Sequence, residues 1–168
     1  ECRRMLTTAY RMNGPAAVRY PRGTGPGVAT EATLHDLSVG KGEIRRQGKG
    51  VALLAFGSML TPALAAAEEL DATVANMRFV KPIDRELIIE LAREHSLLLS
   101  IEENTVIGGA GAEVARVLDE LTHSVRFVRM GLPDRFIDHG DQTRLLAEVD
   151  LDKDGIIRTV RAQQNAAE

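Results

Sequence analysis

The sequence has no tryptophan, a single cysteine, few histidines and no apolar run long enough to cross a bilayer. Each shortage closes a class of function. A membrane-spanning helix needs about 20 consecutive apolar residues, so none is expected, and the opening Glu1-Cys2-Arg3-Arg4 carries no apolar core of a signal peptide. A lone Cys2 cannot close an internal disulfide, which fits a reducing, cytoplasmic setting. One cysteine and four scattered histidines offer no metal-ligand spacing. Aromatic residues at 4% and a net charge of −3 argue against a nucleic-acid binder, which needs a basic face and often stacking rings. An initiator methionine is also missing, and residue 1 is expected to lie inside a longer polypeptide.

The chain does have 168 residues, 44% of them hydrophobic, enough for one domain with its own core. Charge is unevenly spread. Arg3, Arg4, Arg11, Arg19 and Arg22 face a single acid, Glu1, in residues 1–23, so a small basic segment precedes an acidic body. Such a segment either meets an anionic ligand or is a chance of composition.

Residues 1–12 read as a helix with Met5, Leu6 and Ala9 on one side, stopped by Asn13-Gly14. Ala16–Tyr20 reads as a short strand. This helix and strand cannot bury their own apolar face and are expected to be the remnant of a preceding domain. Residues 24–37, rich in Gly, Pro and Thr, read as a linker, and "GKGEIRRQGKG" (40–50) as an edge strand between glycine turns.

From residue 51 onward the pattern is regular. Val51–Phe56, Thr73–Met77, Leu97–Ile101 and Val125–Met130 are apolar strands. Between and after them run helices marked by Thr61-Pro62 as N-cap and first turn, Asp84 as N-cap, Val114/Val117/Leu118/Leu121, Leu145/Leu146/Val149 and Ile156/Ile157/Val160. Strands alternating with helices at this spacing predict an α/β fold: a doubly wound, mostly parallel sheet with helices on both faces over residues 38–168.

Several motifs imitate chemistry. "GEIRRQGKG" lacks the spacing and hydroxyl residue of a phosphate loop and reads as a turn. "DLDKDGII" (150–157) begins like a calcium loop, but Arg161 stands where a bidentate glutamate belongs, so it reads as a helix start. "EENTVIGGAGAEV" (102–114) places Glu102 and Glu103 after a strand, and Gly108, Gly109 and Gly111 at a helix N-terminus. That suits either an anion or a tight loop for packing or a subunit contact. Arg19 and Arg22, three apart on a strand, point to opposite faces. Arg22 lies where the strand ends, and its guanidinium suits either a phosphate or a surface salt bridge.

Taken in order, "GPAAVRYPRG", "GKGEIRRQG", "VALLAFGS", "MRFVKPID", "EENTVIGGAGAEV", "GLPDRFIDHG" and "LDKDGI" resemble the carboxyl-terminal part of the 1-deoxy-D-xylulose-5-phosphate synthase family, within the transketolase-like thiamine diphosphate enzymes. The resemblance covers essentially the whole chain. It implies an enzyme that condenses pyruvate with D-glyceraldehyde 3-phosphate, losing carbon dioxide, at the entry to non-mevalonate isoprenoid synthesis. It implies thiamine diphosphate and Mg2+ as cofactors, and a cytoplasmic homodimer. Residues 1–23 then match the end of a pyrimidine-binding domain and residues 38–168 a transketolase-like C-terminal domain. Arg22 matches the arginine that holds the acceptor's phosphate, Tyr20 lines the same region, and Arg19 packs or pairs structurally. The family's metal ligands, activating glutamate and substrate histidines match nothing here, so the resemblance implies a piece that is inactive alone and binds no cofactor. Two other readings are a freestanding α/β ligand-binding or regulatory module, and the equivalent domain of a 2-oxoacid dehydrogenase β-chain.

Overall fold

A computed structural model describes residues 1–21, 25, 27–29, 32–122 and 124–166. Helix α1 spans Cys2–Arg11. After an irregular stretch come β1 (Glu43–Arg46), β2 (Val51–Ala55), a 3-10 turn (Gly57–Met59), α2 (Leu60–Leu70), β3 (Thr73–Asn76) and α3 (Arg85–Glu94). The chain continues with β4 (Leu97–Thr105), α4 (Ala110–Leu118), β5 (Arg126–Leu132), α5 (Gln142–Glu148) and α6 (Lys153–Asn165).

The five strands form one sheet in the order β1-β3-β2-β4-β5. Edge strand β1 runs antiparallel to β3, and the other pairs are parallel. Every residue of β2 and β3 is buried, as are the first six of β4; a strand covered on both faces must be apolar throughout. The two-residue period divides these side chains. Val51, Leu53, Ala55, Leu97, Leu99 and Ile101 pack with Ala63, Ala66 and Ala67 of α2 and Ile156, Ile157 and Val160 of α6. Ala52, Leu54 and Leu98 pack with Ile88, Leu91 and Ala92 of α3 and Val114 and Val117 of α4. Helices on both faces make the sheet doubly wound, as the strand and helix pattern predicts.

The helix starts follow local chemistry. Asp84 caps α3, accepting from Leu87 N at 3.2 Å, and it also accepts from Gly42 N at 2.8 Å, tying the approach to β1 onto that helix. Asp152 caps α6 by accepting from Gly155 N at 2.8 Å. The stretch that imitates a calcium loop is therefore a helix start. Thr61 does not cap α2. That helix grows out of the 3-10 turn, with Met59 at the cap position and no side-chain cap. Pro62 falls in the first turn, where its missing N–H costs nothing.

Residues 15–21 take no regular structure, so the strand expected at Ala16–Tyr20 is absent. Residue types alone make no strand; the backbone groups need a ladder, and nothing in this sheet extends one to them. Helix α1 also turns a different face inward from the one its apolar residues suggest. Thr7 and Thr8 are its buried residues, Leu37 N donates to Thr8 Oγ1 at 2.8 Å, and Arg11 pairs with Asp36 at 3.0 Å. Tyr10 is 91% exposed and Leu6 about half exposed. At its start, Glu1 accepts from Asn76 Nδ2 at 2.8 Å and from the Arg78 guanidinium, which also pairs with Glu43. This joins α1 to the end of β3 and to the sheet edge.

Candidate functional site at the carboxyl ends of β2 and β4

The chain leaves β2 through α2 toward β3 and leaves β4 through α4 toward β5, on the other side. The carboxyl ends of β2 and β4 are therefore the switch point, where open α/β sheets bind ligands. Glu102 and Glu103 stand there. They lie within β4, which runs to Thr105, rather than after it. Adjacent strand residues face opposite ways, so the paired acids have separate partners.

Glu102 faces α4. It is only 4% exposed, and its two oxygens accept from Ala110 N at 2.7 Å and Gly111 N at 2.8 Å. The helix N-terminus that the glycines open is thus filled by the protein's own carboxylate. The same N–H groups and dipole would favour an anion from solution. The glycines serve this approach. A Cβ on Gly109 would lie 2.5 Å from both Glu102 oxygens, and one on Gly111 would lie 2.5 Å from Ser100 Oγ. Of the two readings left open for this loop, anion site or tight packing, the geometry takes packing. Beside the loop, Glu113 and Arg116 on α4 pair at 2.7 Å, and that hydrogen bond holds the Glu113 carboxyl below the usual carboxylate range.

Glu103 faces the other way and joins three segments. Ser58 Oγ, in the turn after β2, donates to Glu103 Oε2 at 2.6 Å. Gln142 Nε2, at the start of α5, donates to Oε1 at 3.0 Å. Arg19 Nη2 donates to the Glu103 main-chain oxygen at 3.0 Å. One side chain from the amino-terminal segment thus reaches the switch point. Arg19 is anchored there, and Tyr20, the next residue, is 63% exposed. Arg22 lies outside the described residues. Among the described residues no group of three or more His, Cys, Asp or Glu is arranged to hold a metal ion.

The residues at hand do not fit the cofactor that the sequence resemblance implies. A diphosphate needs free N–H donors, and those of α4 nearest the switch point are taken by Glu102. The Glu103 carboxylate, beside it, would repel a diphosphate and has both oxygens engaged by neutral donors.

The family model for the transketolase C-terminal domain matches residues 40–156. The chain belongs to the transketolase C-terminal domain family. Its relatives include proteins named 1-deoxy-D-xylulose-5-phosphate synthase. That of Dechloromonas aromatica (strain RCB) is 65% identical over 165 residues, covering 98% of this chain and 27% of the relative. Those of Aromatoleum aromaticum and Nitrosomonas europaea are 63% and 59% identical over 161 residues, each covering 96% of this chain and 26% of the relative. The chain thus spans about a quarter of the length of these relatives. A solved structure described as "Split gene transketolase, inactive beta4 tetramer" superposes with a TM-score of 0.70 at 32% identity, covering 85% of this chain and 46% of that one.

Sequence reasoning missed the division of labour between Glu102 and Glu103 and, having given Arg19 a structural role, missed its partner, the Glu103 carbonyl. A signal for the first was available: two adjacent acids closing an apolar strand must face opposite layers, and the glycines a few residues on mark where a helix start can approach one of them.

Proposed function

We propose that this chain is the carboxyl-terminal portion of a 1-deoxy-D-xylulose-5-phosphate synthase, with residues 1–23 ending a pyrimidine-binding domain, 24–37 a linker and 38–168 the C-terminal domain. The observation that carries the reading is sequence identity of 59–65% to proteins of that name over nearly the whole chain. The full enzyme joins pyruvate to D-glyceraldehyde 3-phosphate with loss of carbon dioxide. Thiamine diphosphate, with Mg2+, supplies the carbanion chemistry when bound to the remainder of the polypeptide. No helix among the described residues is long and apolar enough to cross a membrane; the cytoplasmic setting is part of the proposed reading. The transketolase neighbour, described as a tetramer of one chain type, supports self-association, which we read as a homodimer. The same description calls that assembly inactive, in keeping with a piece that lacks catalytic groups of its own.

In this reading the C-terminal domain is a buttress, and the segment that crosses onto it carries one substrate contact. Arg22 grips the acceptor's phosphate through a charge-assisted, bidentate contact, and Tyr20 lines the same pocket. Support comes from the anchoring of Arg19 three residues earlier and from the exposure of Tyr20. A phosphate handle remote from the reacting carbon supplies binding energy that orients the aldehyde. The test is steady-state kinetics on the full-length protein. Arg22→Ala should raise KM for D-glyceraldehyde 3-phosphate far more than KM for pyruvate; equal effects would refute the phosphate role. Calorimetric titration of the 168-residue chain with thiamine diphosphate and Mg2+ should give no heat of binding, and saturable heat would relocate the cofactor site.

A further inference from the structure

We infer that Glu103 is a positioning residue for the acceptor-phosphate site. It fixes the carbonyl to which Arg19 is bonded, without touching substrate. The inference rests on the reading of Arg22 given above.

Three observations converge on this residue. Its main-chain oxygen holds Arg19 at 3.0 Å, across 84 residues of sequence. Its carboxylate is held from both sides, by Ser58 at 2.6 Å and Gln142 at 3.0 Å. Those two donors come from separate elements, the turn that leads into α2 and the first residue of α5. With both oxygens occupied, Glu103 is poorly placed to serve as a free base. Its role is to fix the last part of β4, past the point where β4 pairs with β2. The ladder between those strands ends at Ala55 opposite Ile101, so the backbone at 103 is not held by that neighbour. On the β5 side the register shifts between Ile101 and Thr105. Side-chain bonds therefore take over where the ladder lapses, at the carbonyl to which Arg19 is tied.

A misplacement of about 1 Å in a substrate-orienting group can cost on the order of a hundredfold in rate, so the carbonyl that holds the Arg19 guanidinium is a sensitive point. Glutamine is the informative replacement. Its carbonyl oxygen still accepts from Ser58, and the Gln142 amide can turn to present its oxygen to the new NH2. Alanine removes both bonds.

The experiment uses the full-length protein and measures KM for D-glyceraldehyde 3-phosphate and for pyruvate separately. Arg19→Met, which removes the charge-assisted anchor, and Glu103→Ala, which frees the carbonyl it is tied to, should each raise the acceptor KM about tenfold, with pyruvate KM changed less than about twofold. Combining the two should add little to either alone, because Glu103→Ala loosens the carbonyl and Arg19→Met removes the guanidinium of the same tie. Glu103→Gln should bring the acceptor KM back to within about threefold of the parent, as expected when the bonds are largely kept. The inference is overturned if Glu103→Ala leaves the acceptor KM unchanged, raises both KM values equally, or adds fully to Arg19→Met. Should Glu103→Ala fail to fold, Ser58→Ala and Gln142→Leu each remove one partner, and the same split at about threefold is expected; no split would overturn the idea equally. The two readings fail separately. An unchanged acceptor KM in Arg22→Ala sinks the phosphate role of Arg22. A normal acceptor KM in Glu103→Ala beside a raised one in Arg22→Ala sinks only the role of Glu103.

Discussion

Replacing Glu102 by alanine should be among the most damaging single changes in this domain, although the residue is charged and sits beside a glycine loop. Its carboxylate is buried and accepts two backbone N–H groups at the start of α4, at 2.7 and 2.8 Å. Alanine leaves both donors buried without partners, at about 1–3 kcal/mol each. It also removes a negative charge from the positive end of a helix, about 0.3–2 kcal/mol depending on burial. Water can relax into part of the space, so the expected loss is about 3–5 kcal/mol rather than the full sum. At about 2–4 °C per kcal/mol for a domain of this size, the melting temperature should fall by roughly 6–20 °C. Equilibrium urea unfolding of the 168-residue chain, followed by circular dichroism, reads this directly, and Glu102→Gln should fall between parent and alanine because one oxygen still accepts. Adding inorganic phosphate should partly restore the alanine variant, since the emptied helix start becomes a vacancy for an anion. A loss below about 0.5 kcal/mol, the range of ordinary surface changes, would refute the assignment of Glu102 as the internal cap.

Other perturbations test neighbouring parts of the fold. Gly109→Ala puts a methyl group 2.5 Å from the Glu102 oxygens and should cost about 1–3 kcal/mol as overpacking, read in the same urea titration; a neutral result would mean the loop yields freely. Asp84→Ala removes the cap of α3 and the acceptor for Gly42 N, and should cost about 2 kcal/mol or more against the typical 1 kcal/mol for a cap alone. Glu69 on α2 pairs with Lys153 on α6, and the side-chain hydrogen bond from Lys153 holds the Glu69 carboxyl below its ordinary value. A carboxyl lowered by folding contributes stability that is present above the ordinary carboxylate value and is lost as pH falls through the lowered one. The pair is solvent-exposed, so its effect on stability should be small and screened by salt. The direct check is a carboxyl NMR titration, in which Lys153→Met should move the Glu69 midpoint upward; an unmoved midpoint would remove the bond between α2 and α6.

Much of the architecture was legible because burial on both faces demands continuous apolar strands. "VALLA" and "LLLSI" can only be central, and Asp84 and Asp152 mark the starts of α3 and α6. Three features were not legible, each for a physical reason. Ala16–Tyr20 reads as a short strand, but pairing is a property of two segments, and the partner is not in this sheet. Thr61-Pro62 carries good start chemistry, yet the 3-10 turn at Gly57–Met59 had already started the helix two residues earlier. Helix α1 displays apolar residues that suggest a buried face, but it meets the body through Thr7, Thr8 and Arg11. The side it turns inward depends on what lies near it, which periodicity does not report. Of the site, the basic stretch around Arg19 and the glutamate pair could be singled out by residue type, but the bond joining them spans 84 positions.

The carboxylate lodged at the head of α4 has a thermodynamic consequence. A pocket that awaits a metabolite ties a protein's robustness to how much of that metabolite the cell contains, by simple mass action. Here the occupant is built into the polypeptide and its supply never varies. A domain made this way can keep its shape through feast and starvation alike, which suits a part whose business is to hold something else in place.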